Sequence, residues 1–369
     1  MTDPVVFTDV ETDNGMMIGH AELNMESTLN SLSLEMVRLL HPAIDAWAER
    51  DDIVCIVIAA AGDRAFCAGG DIQALYAAIN ANHAADEVVN DYPFRFFEEE
   101  YRLDFALHEC SKPVITIGHG IVMGGGLGIF GASQYRVLTE KSRLALPEIT
   151  IGLFPDAGAS WTLRNMPQYW ASFLGLTGSH INAADALLCG VGTHLVGHSE
   201  RTELLRLAKQ LPWSGDGSDL ELIDEWLAGL AVPTLPEAQI SNVPERLSQV
   251  DDFRAEIAAV QSLAGQSDWI DKGLANLERG CPTTAGIVVE QLRRVPEMSL
   301  ADSYRMELTV ATHCAKNNDF REGVRALLID KDNSPMWRFT DLAGLEWEHV
   351  LSHFVEPWQT HPLTDLGAV

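Results

Sequence analysis

The chain has 369 residues, 47% hydrophobic and 21% charged, enough for a sizeable core in one large domain or two moderate ones. Its formal net charge of −28 argues against nucleic acid or an anionic membrane as a partner, because either would need a basic face. The six cysteines form no C-x-x-C pair and most sit in apolar runs, which points to reduced thiols rather than a disulfide framework or a zinc site.

The N-terminal residues MTDPVVFTDVETDNG lack a basic n-region and an apolar h-region, so no signal peptide and a cytoplasmic location are expected. Residues 5–10 and 16–23 read as two strands around Asp13-Asn14-Gly15, since Asn-Gly is a strong hairpin signal. A helix is predicted from Ser33, its N-cap, to about Arg50, with Leu34, Val37, Leu40, Ile44 and Trp47 at helical spacing. IVCIVIAA at 53–60 is a continuous apolar run, as in a strand covered on both faces. AFCAGGD at 65–71 is a glycine-rich turn, and a helix follows over 72–81. Residues 83–97 read as a loop or short helices, and 96–110 as a helix carrying Glu98-Glu99-Glu100.

From Pro113 to Ala132 no residue carries a formal charge and seven are Gly. That length reaches the threshold for a membrane span. The β-branched Val114-Ile115-Thr116-Ile117 and the triple glycine favour a buried strand, a tight turn and a buried helix to 132. A strand is predicted at 135–138, then helices at 158–166, 168–176, 183–189 and 200–210. Residues 212–250 read as a connector with a short helix at 220–230, and 252–318 as strongly helical. The tail from 319 reads as loops with one helix at 343–354. Strands alternating with helices over 50–170 imply an α/β fold. The division expected is 1–211 as core and 212–369 as a mostly helical extension.

Two glycine turns, Ala68-Gly69-Gly70 and Gly124-Gly125-Gly126, each follow a strand and precede a helix. Neither fits a dinucleotide or P-loop fingerprint. Such turns can aim main-chain N–H groups at one oxygen, an oxyanion hole, or can simply allow close packing. Glu148 and Asp156 stand in apolar surroundings, where a carboxylate is costly unless paired or functional. A raised pKa there suits general acid/base or nucleophilic work; for Asp156 the alternative is helix capping.

AFCAGGD at 65–71, KPVITIGHGIVMGGGLG at 112–128 and LPEITIGLFPDAGAS at 146–160 together resemble the crotonase (enoyl-CoA hydratase/isomerase) superfamily. FFEEEY at 96–101, YRVLTEKSRLALPE at 135–148, GLFPD at 152–156 and DFREGVRALLIDKDNSPMW at 319–337 resemble its 3-hydroxyisobutyryl-CoA hydrolase branch. The likeness spans essentially the whole chain. It implies a crotonase-like (ββα-spiral) core with a helical C-terminal region. It further implies that the N–H groups of Gly70 and Gly125 receive a thioester oxygen, with Ala68 beside them. Glu148 aligns with the main catalytic carboxylate, Asp156 with a second acid of the hydrolase branch, and Glu100 with a substrate-contacting acid. Hydratases carry another Glu two residues after the triple glycine, where this chain has Gly128.

The reaction so implied is hydrolysis of a short 3-hydroxyacyl-CoA, with 3-hydroxyisobutyryl-CoA, from valine breakdown, first. Whether Glu148 attacks the carbonyl or activates water is open in the sequence. The rivals are an enoyl-CoA isomerase working with one carboxylate and a non-catalytic acyl-CoA binder. CoA is part of the substrate, and no separate cofactor or metal is implied; His108, His119 and His313 lack ligand spacing. Arg64, Arg325 and Lys331 are the candidate cations for the CoA phosphates. Related folds form oligomers, and the long helical tail leaves the state open here.

Overall fold

The Asn14-Gly15 turn takes the conformation its chemistry demands. Gly15 has a φ of +88°, and β1 (Val5–Glu11) pairs antiparallel with β2 (Met17–Leu23). Ser33 caps α1 (Leu34–Ala48), its hydroxyl accepting the Met36 N–H at 3.2 Å. The predicted apolar positions of α1 are all buried. β3 (Ile53–Ala60) is buried through Ile58. Next come β4 (Ala65–Cys67), α2 (Ile72–Ala85), α3 (Tyr92–His108), β5 (Val114–Gly118), β6 (Ile121–Met123), α4 (Gly125–Ala132), β7 (Tyr135–Leu138) and β8 (Arg143–Ala145). They are followed by α5 (Ala159–Arg164), α6 (Gln168–Thr177), β9 (Ile181–Asn182), α7 (Ala183–Leu188), β10 (His194–Leu195), α8 (Leu204–Ala208) and α9 (Asp219–Ala228). The rest is helical: α10 (Phe253–Gln261), α11 (Asp268–Arg279), α12 (Pro282–Arg294), α13 (Leu300–Lys316), α14 (Asn318–Val324) and α15 (Trp347–Ser352).

This computed structural model describes residues 3–85, 87–245 and 253–368. Positions 246–250, the end of the expected connector, and 252, the expected start of the C-terminal helices, lie outside the described residues. Two compact units are each assembled from three segments. One comprises Met1–Gly70, Arg102–Leu144 and Ile181–Ala238; the other comprises Asp71–Tyr101, Ala145–His180 and Gln239–Val369.

The first unit holds a six-stranded sheet of order β1-β2-β3-β5-β7-β10 and a smaller one of order β4-β6-β8-β9. β3 has parallel neighbours on both edges, β2 and β5, which explains its unbroken apolar run. Ile18, Val57, Ile115 and Val137 pack under Leu204, Trp213, Ile223 and Leu227 to form the core there. The uncharged stretch from Pro113 thus resolves into β5, β6 and α4 rather than a span. Among the described residues no helix is long and apolar enough to cross a membrane.

The second unit is built on α12, which is buried on every side from Pro282 to Leu292 and packs against α6, α10 and α15. Two expectations need correction. Residues 83–97 are not mainly loop: α2 runs to Ala85 and α3 begins at Tyr92. Pro93 is tolerated because a first-turn residue has no intrahelical N–H bond to lose. Asn90 also accepts the Tyr92 N–H at 2.9 Å. The tail after 318 holds, besides the expected helix near 343–354, a second one, α14, packed against α13 and α2. Its Gly323 meets the chain before the acid cluster: a Cβ at 323 would fall 2.4 Å from the Ile151 carbonyl. Gly323→Ala is therefore expected to destabilise the protein by about 1–3 kcal/mol, read as a lowered denaturation midpoint.

Candidate active site

The first unit brings the two glycine turns side by side. β4 and β6 are parallel neighbours, and a Cβ at Gly69 would lie 3.6 Å from the Met123 carbonyl oxygen. Gly69 has a φ of +109° and Gly124 a φ of +47°, conformations that side chains strongly disfavour. At Gly126 the restriction is steric, because a Cβ would sit 2.6 Å from Cys67. Gly125 opens α4, so its N–H belongs to a first helical turn with no intrahelical acceptor. Gly70 bridges Leu32. Ala68 donates its own N–H to the Leu29 carbonyl at 3.1 Å, so a ligand would meet its carbonyl or methyl.

The second unit gathers the acids. Glu148 sits on the short turn Pro147–Thr150 and is 4% exposed. Its main-chain oxygen accepts the Ile151 and Leu153 N–H groups, but its side-chain Oε2 is buried with no hydrogen-bond partner. Burial first, and the negative charge of Asp156 second, hold its carboxyl well above the usual range. Asp156 is 7% exposed and accepts the Tyr101 hydroxyl at 2.6 Å. Burial pushes it upward too, and the Tyr101 hydrogen bond works against that shift. Glu100, beside Tyr101 on α3, is buried, and its charge helps raise the Tyr101 phenol. Helix capping does not account for Asp156: α5 has no side-chain cap, and Asp156 is bonded to Tyr101 instead.

Other side chains meet these acids that their own sequence context does not single out. Tyr101 is one, through its hydrogen bond to Asp156. Gln291 donates to the Pro155 carbonyl at 2.6 Å and to the Ser160 hydroxyl at 2.7 Å. Glu307 accepts the N–H groups of Gly158 and Ser160. A signal for Glu307 did exist: it shares the helical face of Tyr304, Leu308 and Ala311, all buried, where an acid is out of place.

The three candidate cations differ. Arg325 donates to Glu322, Asp330 and Asp332, so a phosphate there would have to displace carboxylates. Arg64 and Lys331 are exposed. His119 bonds to the Gly62 carbonyl at 2.9 Å and burial pushes it down to about 4, and His313 bonds to the Val355 carbonyl at 2.8 Å.

A family described as enoyl-CoA hydratase/isomerase matches residues 18–354. The chain is 34% identical over 333 residues to a chicken (Gallus gallus) protein named 3-hydroxyisobutyryl-CoA hydrolase, mitochondrial, covering 90% of this chain and 85% of that one. The human (Homo sapiens) protein of the same name is 32% identical over 358 residues, covering 91% and 86%. A solved enoyl-CoA hydratase from Rhodobacter sphaeroides superposes with a TM-score of 0.81 at 27% identity, covering 96% of this chain and 98% of that one. A carnitinyl-CoA dehydratase from Mycobacterium thermoresistibile gives 0.82 at 28%, covering 98% and 99%.

The interaction between the two acids is directly measurable. Isotope-edited infrared titration should place the Glu148 midpoint above the ordinary carboxylate value of about 4.3. Asp156→Asn removes the neighbouring charge and should move that midpoint down, while burial still keeps it raised. A midpoint unmoved by the substitution would contradict the electrostatic reading.

Proposed function

The chain belongs to the enoyl-CoA hydratase/isomerase family and has its crotonase fold; from that premise we propose that it hydrolyses a short 3-hydroxyacyl-CoA thioester, 3-hydroxyisobutyryl-CoA first, as in valine breakdown. The observation that carries the reading is the buried pair Glu148 and Asp156, with Asp156 bonded to Tyr101. A hydratase-type addition calls for a second acid after the triple glycine, and that position is Gly128.

In the proposed reaction the carbonyl oxygen accepts the N–H groups of Gly70 and Gly125, which stabilise the charge that grows on it. Ionised Glu148 starts the chemistry. It either attacks the carbonyl carbon, forming an anhydride that water then opens, or takes a proton from the attacking water. In both routes the C–S bond breaks, a C–O bond forms, and CoA leaves as the thiol. Asp156 and Glu100 receive the 3-hydroxyl group of the acyl chain. Among the candidate cations, Arg64 and Lys331 are preferred for the CoA phosphates over Arg325, whose guanidinium already donates to carboxylates.

The reading has a kinetic consequence of definite sign. Both routes need the carboxylate form of Glu148, and burial holds its carboxyl protonated to higher pH than usual. The value of kcat/KM should therefore rise with pH along a limb above the ordinary carboxylate range. Free thiol should be released from 3-hydroxyisobutyryl-CoA and 3-hydroxypropionyl-CoA faster than from butyryl-CoA. Asp156→Asn should lower that rate about 10²- to 10⁴-fold. A protein that shifts or hydrates double bonds but releases no thiol would overturn the proposal.

A further inference from the structure

The turn that carries Asp156 is held by parts of the chain far away in sequence. Residues 152–160 are all buried. Ala157 and Gly158 are both left-handed, with φ of +52° and +78°, an arrangement that persists only where its surroundings impose it. α5 starts immediately afterwards with no cap from its own stretch. Instead Glu307, 0% exposed on α13, reaches in. Its Oε2 accepts the Gly158 N–H at 2.8 Å and its Oε1 accepts the Ser160 N–H at 2.9 Å. A buried carboxyl is an expensive way to cap a helix, since any acceptor would serve for hydrogen bonding alone. The Tyr304 hydroxyl closes the other side: a Cβ at Gly158 would come 2.6 Å from it.

We propose that Glu307 is a positioning residue for Asp156, holding the Asp156 turn in its left-handed shape by a two-point grip on main-chain N–H groups. The charges interact: burial pushes Glu307 up to about 8, and the nearby Asp156 charge contributes to that rise. Asp156 loses its proton first, so Glu307 is still neutral while Asp156 titrates and acts on it through the shape of the turn. The titratable groups facing this pair come from each element around it. They are Glu100 and Tyr101 on α3, Glu148 on the Pro147–Thr150 turn, and Tyr304 and Cys314 on α13. All are acids.

Only the kinetic part of the test rests on the hydrolase reading. Glu307→Gln keeps the size, loses the charge, and can accept only one N–H through its single amide oxygen. For this variant kcat for thiol release should fall about ten- to a hundredfold, with KM within about twofold. The infrared midpoint of Asp156 should move up, because a displaced turn weakens the Tyr101 hydrogen bond that lowers it. In an Asp156→Asn background the same change should lower kcat by no more than about twofold further, because Glu307 acts through Asp156. A purely structural Glu307 would lower the melting temperature and leave both the Asp156 midpoint and the kcat of the folded fraction unchanged, and that outcome overturns the proposal. Should Glu307→Gln fail to fold, Glu307→Asp keeps the charge and shortens the reach. It should lower kcat and move the Asp156 midpoint in the same upward direction, and an unchanged kcat would overturn the proposal. If the wild type releases no thiol from any 3-hydroxyacyl-CoA, the hydrolase reading fails, while the Asp156 midpoint still decides the role of Glu307.

Discussion

The burial of carboxyl groups without a compensating cation is the constraint on which the helical unit depends. Glu148, Asp156 and Glu307 are each at most 7% exposed, and no ion pair to them is found among the described residues. The cations that do form ion pairs, such as Arg325 and Arg50, serve other acids. A buried carboxylate without a partner is costly, and the ordinary escape is to stay protonated. The upward shifts of Glu148, Asp156 and Glu307 follow from that rule. What makes the cluster tolerable is a supply of neutral donors: the Tyr101 hydroxyl for Asp156 and two main-chain N–H groups for Glu307.

Those donors need rigid support, and the C-terminal helices provide it. α12 sends Thr284 to the Leu153 carbonyl at 2.6 Å and Gln291 to the Pro155 carbonyl. α13 supplies Glu307, and α14 packs its Gly323 against Ile151. The segment 151–160 is thus gripped at its start, middle and end by helices from beyond residue 280. The helical region is part of the scaffold that fixes the acids, which gives a physical reason for its length.

The parts of the fold legible in the sequence were those governed by local rules. The hairpin turn at Asn14-Gly15, the Ser33 cap and the two-faced strand β3 each follow from residues within a few positions of one another. The start of α3 was harder, because Pro93 looks like a breaker until its place in the first turn is known. α14 was missed for a similar reason: Gly323 weakens the helical signal locally, and its justification is contact with Ile151. Glu148, Asp156 and the two glycine turns stood out by their isolation in apolar sequence. Glu307 did not, since the groups it binds lie 147 and 149 residues away. The capping alternative for Asp156 could be rejected only once the Tyr101 hydrogen bond was visible.

The central claim is that the buried Glu148 carboxyl carries out thioester cleavage. Glu148→Gln tests it most directly, because the amide keeps the shape and removes the reacting group. Single-turnover release of CoA from 3-hydroxyisobutyryl-CoA should slow by about 10³-fold or more while substrate binding stays close to wild type. Release within about tenfold of wild type would contradict the account.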